Sequence, residues 1–107
     1  MIVGNRFFRL SEVESTNEYV KGILKNAPEG TVVLADVQTA GKGRKGRNWY
    51  SPEGGLWMSV LLDHCDSCLM PLTAAVAICE VFELYDIRLG IKWPNDLFLN
   101  RKKVAVS

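Results

Sequence analysis

Gln38-Thr39-Ala40-Gly41-Lys42-Gly43-Arg44-Lys45-Gly46-Arg47-Asn48-Trp49 carries four cations, three glycines and one tryptophan, directly after the apolar run Thr31 to Val37. Glycines let a backbone fold closely around a ligand and turn its N–H groups inward. Interleaved Lys and Arg add full positive charges suited to phosphate or carboxylate. The flat indole that closes the segment offers a wall for an apolar or aromatic group. Anion recognition and a hydrophobic surface thus meet in one loop, a combination that suits a nucleotide joined to an organic acid.

Two familiar phosphate-binding patterns fail here. Gly41-x-Gly43-x-x-Gly46 has the spacing of the dinucleotide fingerprint and follows a strand, but that fingerprint needs a helix to open within the loop. Arg47-Asn48-Trp49-Tyr50-Ser51-Pro52 is a poor helix start. A P-loop needs Lys and Ser or Thr after Gly46, where this chain has Arg47 and Asn48. The plain alternative is a surface loop with solvated charges.

Outward from the loop, the pattern is that of one small domain. Ser15 and Glu18 have capping-box spacing, and Val20, Ile23, Leu24 and Ala27 make one apolar face, so a helix is expected from Ser15 to Pro28. Thr31 to Val37 and Leu56 to Leu62 read as buried strands, joined through the loop and the turn Ser51-Pro52-Glu53-Gly54-Gly55. Pro71 to Tyr85 reads as a helix apolar on most sides, hence largely enclosed. Ile87 to Lys92 is a short strand, Trp93-Pro94-Asn95-Asp96 a turn, and Leu97 to Leu99 with Lys102 to Val106 a hairpin.

Composition sets the bounds. The chain has 107 residues, with 48% hydrophobic and 23% charged, ordinary values for a globular protein with a single core. Its 13 basic and 12 acidic residues leave a net charge of +1, so the basic loop is a local feature and general nucleic-acid affinity is not expected. Neither a signal peptide nor a membrane-spanning run is visible, which points to a cytoplasmic location. Cys65, Cys68 and Cys79 do not suggest a disulfide framework. Cys65-x-x-Cys68 lacks a second pair, and His64 is the only histidine, so the segment reads as a polar connection and no resident metal site is assigned. Cys79 falls in the apolar helix and reads as core.

Glu14-Ser15-Thr16-Asn17, the loop from Gln38 to Trp49, and Lys92-Trp93-Pro94-Asn95-Asp96-Leu97 occur in the order and spacing seen in biotin protein ligases. Over nearly its whole length the chain resembles the catalytic domain of that family. Lipoate ligases share the fold, but the glycine-rich arginine loop looks like the biotin branch. The resemblance implies an α+β fold, a mixed sheet with helices on one side, like the core shared with class II aminoacyl-tRNA synthetases. It also implies a two-step reaction. Biotin and ATP, with magnesium, give biotinyl-adenylate, and a lysine of a biotin carboxyl carrier domain then takes the biotin.

The same resemblance assigns roles. Lys92 would lie beside the carboxylate and α-phosphate, and Arg44 would grip the phosphate of the adenylate. Ser15, Thr16 and Asn17 would meet the ureido end of biotin, and Gln38 would fix the bound acid. Gly41, Lys42, Gly43 and Arg47 would complete the loop's contacts, and Trp49 would shield the anhydride from water. Lys42 stands where the family more often has arginine, so the charge is kept and the bidentate fork lost. Ser15 has a competing reading as a helix cap, Trp57 reads as core packing, and Asn95 and Asp96 read as turn formers before magnesium ligands. The resemblance allows a homodimer.

The family continues its last hairpin with Ala-Gly-Ile-Leu, where this chain has Val104-Ala105-Val106-Ser107. The expectation is therefore residues 1–107 as the N-terminal portion of one catalytic domain. Neither a helix-turn-helix nor a C-terminal β-barrel is expected. A non-catalytic module that captures biotin, a nucleotide or a phosphate remains the contrasting reading.

Overall fold

The computed structural model describes residues 3–63, 69–93 and 96–106. The chain divides into two compact units, Met1–Asp63 and His64–Ser107. The Cys65/Cys68 pair, Pro94 and Asn95 lie outside the described residues.

In the first unit β1 (Phe7–Val13), α1 (Thr16–Ile23), β2 (Val32–Gln38) and β3 (Trp57–Val60) form a mixed sheet of order β1-β2-β3. β1 and β2 run parallel, from Phe7 opposite Val32 to Val13 opposite Gln38. Parallel neighbours need a crossover, and α1 supplies it. β2 and β3 are antiparallel, with Val32 opposite Val60 and Ala35 opposite Trp57. The central strand holds the core: Val32, Val33 and Ala35 are buried, together with Val20 of α1. The β-branched side chains of Val32 and Val33 suit a pleated strand.

Helix α1 begins as its sequence dictates. Ser15 is extended, at φ −159° and ψ 137°, and its hydroxyl accepts from the Glu18 amide at 3.4 Å. The helix is shorter than the apolar pattern suggested, ending near Ile23 with a turn in which Asn26 N–H donates to the Ile23 carbonyl. Two other expectations are corrected. β1 was absent from the sequence reading. The run Leu56 to Leu62 is not a buried strand: β3 takes up only Trp57–Val60 of it, and Leu56 is 70% and Met58 50% exposed. β3 lies at the edge of its sheet, next to β2 alone, which leaves it fewer neighbours to cover it. Arg9 and Asp36 form a surface ion pair at 3.0 Å, an arrangement that adds little stability.

The second unit contains α2 (Met70–Glu83) and an antiparallel sheet of β4 (Gly90–Lys92), β5 (Asp96–Leu99) and β6 (Lys102–Val106). Pro71 sits in the first turn of α2, where its missing N–H costs nothing. Asn100 and Arg101, both at positive φ (49° and 70°), make the two-residue connection whose twist suits a hairpin. Leu97 is buried, and the register shifts between Leu97 and Phe98. α2 is not enclosed: Ala75 is its buried residue, while Val76, Val81 and Phe82 are exposed. Hydrophobicity on all sides states a need for cover without naming what provides it. Among the described residues, no helix is long and apolar enough to cross a membrane.

Candidate functional site

β1 and β2 end side by side, and their parallel ladder continues past both ends. Thr39 N–H donates to the Val13 carbonyl and Ala40 N–H to the Glu14 carbonyl. The chain leaving β1 therefore enters α1 at Ser15, Thr16 and Asn17 beside the chain leaving β2 into the glycine-rich segment. In open α/β sheets, ligands favour the crevice at the carboxyl ends of strands.

The glycine-rich segment is a hydrogen-bonded hairpin. Gln38 N–H donates to the Ser51 carbonyl at 3.0 Å, Trp49 N–H to Gly41 at 2.8 Å, and Gly43 N–H to Arg47 at 2.6 Å. The tip, Arg44–Gly46, makes one 3-10 turn, with Lys45 at φ 59° and Gly46 at φ 74°. Two successive left-handed residues reverse the chain tightly, and glycine adopts the second without steric cost. No α-helix opens here, in keeping with rejection of the dinucleotide fingerprint. The side chains of Lys42, Arg44, Lys45 and Arg47 are exposed. Among the described residues, none of the four forms an ion pair.

Gly41 is needed for space. A Cβ there would stand 2.6 Å from both the Ser51 Oγ and the Trp49 carbonyl, and 2.9 Å from Gln38 Nε2. Gly43 differs, since an added Cβ would meet its nearest atom at 3.6 Å. Trp49 is half-buried against the hairpin base, where Gln38, Gly41, Trp49, Tyr50 and Ser51 help line a depression of about 450 Å³. Trp57 packs against its own turn, its indole N–H donating to Pro52 and its ring beside Gly55. That departs from simple core packing. Trp93 is exposed.

The polar residues at the start of α1 are held by a serine that the sequence reading passed over. The Ser59 hydroxyl on β3 donates to Asn17 Oδ1 and lies 2.7 Å from Thr16 Oγ1. A hydroxyl has one proton, so Thr16 must be the donor to Ser59. Thr16 thereby keeps acceptor lone pairs and Asn17 keeps its amide N–H groups for a ligand. Thr16 and Ser59 are 3% and 8% exposed. The signal was available: Ser59 is the polar residue within the apolar run Leu56 to Leu62. Ser59→Ala should lower unfolding free energy by about 1–3 kcal/mol, because the buried Thr16 hydroxyl loses its acceptor and Asn17 Oδ1 loses a donor. Urea denaturation monitored by tryptophan fluorescence measures it. A loss below about 0.5 kcal/mol would show the serine to be dispensable.

Lys92 ends β4 in the second unit, opposite Asp96, with its Nζ 6.0 Å from the centroid of the Phe98 ring. The side chain is exposed, and Gly90, Ile91, Phe98 and Arg101 line a shallow hollow with it. The Asp96 carboxylate pairs with Lys103 at 3.2 Å, so Asp96 is a strand residue with a cation partner. Among the described residues, no cluster of three or more metal-ligating side chains occurs.

Residues 10–107 match the biotin/lipoate A/B protein ligase family. The chain belongs to that family. The bifunctional ligase/repressor BirA of Bacillus subtilis is 51% identical over 87 residues, covering 75% of this chain and 26% of that protein. BirA of Escherichia coli is 32% identical over 102 residues, covering 90% of this chain and 32% of that protein. The structure of biotin protein ligase from Aquifex aeolicus, in complex with biotin and ATP, matches with a TM-score of 0.85 at 39% identity. That match covers 94% of this chain and 44% of the other. The chain thus spans less than half the length of these relatives.

Proposed function

We propose that this chain carries the biotin- and adenylate-binding part of a biotin–protein ligase, the N-terminal portion of its catalytic domain. The observation that carries this reading is the hairpin with four exposed cations, unpaired among the described residues. It stands at the strand ends beside a polar set made of buried Thr16, half-buried Gln38 and exposed Asn17. In the first step a biotin carboxylate oxygen bonds to the α-phosphorus of ATP, the bond to the β-phosphate oxygen breaks, and pyrophosphate leaves. Both reactants are anions, and fixed cations offset their repulsion as charge concentrates on phosphorus. Lys92 would supply one such charge. Arg44 would hold the phosphate of the mixed anhydride, and Trp49 would keep water from it. In the second step a carrier-domain lysine nitrogen bonds to the acyl carbon, AMP leaves, and the nitrogen loses a proton.

Thr16, with free acceptor capacity, and Asn17, with free donors, suit the two faces of a cyclic urea. Ser15 serves first as the helix cap. Gln38, Gly41, Lys42, Gly43 and Arg47 would line the acid and phosphate. Magnesium would arrive with the triphosphate, and Asp96, already held by Lys103, gives no reason to route a step through it. The carrier domain, a cytoplasmic setting and a homodimer belong to the same proposal. The hairpin's arginines favour the biotin branch over the lipoate branch.

Arg44→Gly tests the reading. The variant should form biotinyl-adenylate yet release it about tenfold faster, since one charge-assisted contact of about 1.5–3 kcal/mol is gone. Released anhydride would then label lysines on a bystander protein. Labelling confined to the carrier domain, or no adenylate in the unsubstituted chain, would sink the proposal. Biotin binding without pyrophosphate release would instead assign a capture module.

A further inference from the structure

We infer that Ser51 is a positioning residue that couples the start of α1 to the closing end of the glycine-rich hairpin, acting through Gln38. The inference rests on the ligase reading and extends it to a residue outside the motifs that suggested it. Its basis is a chain of hydrogen bonds whose direction leaves no choice. Thr16 N–H is a donor, so the Gln38 atom 2.8 Å from it must be the carbonyl Oε1. The other end of that amide, Nε2, then faces Ser51 Oγ at 3.0 Å and must donate to it. The Ser51 hydroxyl, accepting from Gln38, spends its one proton on the Trp49 carbonyl, 3.0 Å away.

Thr16 N–H, Gln38, Ser51 and the Trp49 carbonyl therefore form one directed line from the helix start to the hairpin base. Ser51 is 2% exposed, so water cannot readily replace its hydroxyl. The line fixes which end of the Gln38 amide faces the ligand side: one N–H and one lone pair remain, each in a set place. It also holds the Trp49 backbone, and with it the indole. Gly41 keeps room for the line, because its missing Cβ would stand against Ser51, Trp49 and Gln38 together. A polar group bonded in this way tightens its neighbours, and removal of the middle member strands both sides.

Amide hydrogen exchange and adenylate release on the full chain form the test. Ser51→Ala should speed exchange at Trp49 and also at Thr16, whose amide is far away in sequence, and should release biotinyl-adenylate about tenfold faster. Ser51→Thr keeps the hydroxyl and should restore both readouts to within about twofold. Gln38→Glu is the second probe. A carboxylate still accepts from Thr16 but has no proton for Ser51. Exchange should therefore rise at Trp49 while Thr16 stays protected. Ser51→Ala that loosens Trp49 yet leaves Thr16 exchange unchanged would reduce Ser51 to a local turn residue and overturn the coupling. A chain that retains no adenylate but shows the paired change at Thr16 and Trp49 would defeat the ligase reading and uphold the coupling.

Discussion

Lys92→Ala is expected to slow biotinyl-adenylate formation by about 100- to 1,000-fold, the usual cost of removing one group that stabilises developing charge. Biotin affinity should change much less. The reason is the timing of the charge. Before reaction the carboxylate and the α-phosphate are separate anions, each with solvent and other cations nearby. At the pentavalent centre their charge is concentrated, and a fixed ammonium is then worth most. Lys92 is suited to such loss of function without loss of fold. Its side chain is exposed, and β4 is held to β5 by backbone pairing from Gly90 to Lys92. Truncation should stay within about 0.5 kcal/mol of the original stability. Pyrophosphate release, single-turnover adenylate formation and biotin calorimetry on the full chain separate the effects. A rate within fivefold of the original, or a loss seen wholly as weaker biotin binding, would remove Lys92 from the chemical step.

Gly41→Ala is expected to damage the site through the backbone. The new Cβ would lie 2.6 Å from the Trp49 carbonyl, an atom fixed by the hairpin, and equally near Ser51 Oγ. A flexible side chain could swing aside, but a backbone oxygen moves only if the stem opens. Overpacking of this kind costs about 1–3 kcal/mol, occasionally more. The bond from Trp49 N–H to the Gly41 carbonyl is the first at risk. Adenylate retention should fall about 10- to 100-fold, by the same free-energy scale. Gly43→Ala is the control, because its added Cβ meets only ordinary contacts. Equal losses in the two variants would show that the damage comes from glycine removal in general, not from crowding at the stem.

How far the sequence could be read differs from one element to the next, for physical reasons. Local signals served well. Ser15 with Glu18 announced α1, and the amide of Glu18 does bond to Ser15. The β-branched run announced β2, the Asn100-Arg101 pair the hairpin, and Pro71 the start of α2. β1 was missed because Phe7 to Val13 mixes Arg9 and Glu12 with its apolar residues, as an edge strand does. Its half-buried Phe8 and Leu10 carried a period-two signal too short to stand out. The burial of β3 and α2 was overstated because hydrophobic side chains record what a segment needs, and only the fold shows what covers it.

The site divides in the same way. Gln38, Gly41 and Trp49 could be picked out because charge, glycine and aromatic residues lie together along the chain. Ser59 left a fainter trace, one polar residue in an apolar run, while Ser51 left none, since its role arises from partners brought close by the hairpin. A serine in a turn has no pattern of its own. Nothing among the described residues explains Lys42, whose side chain is exposed.

The ladder that runs past the ends of β1 and β2 also says where this protein has room to change. Both walls of the candidate crevice hang from one ruler, with Val13 opposite Gln38 and its next rungs at Thr39 and Ala40. A one-residue change in length along that ruler turns each following side chain to the opposite face. The hairpin tip obeys no such ruler, because its turn projects beyond the last stem bond at Gly43. Changes in length can therefore accumulate at Lys45 and Gly46 without shifting the stem, while Arg44 stays fixed by the role proposed for it. The lengths of the paired stretches, Phe7 to Glu14 and Val32 to Ala40, are the part that lineages, or designers, have little freedom to alter.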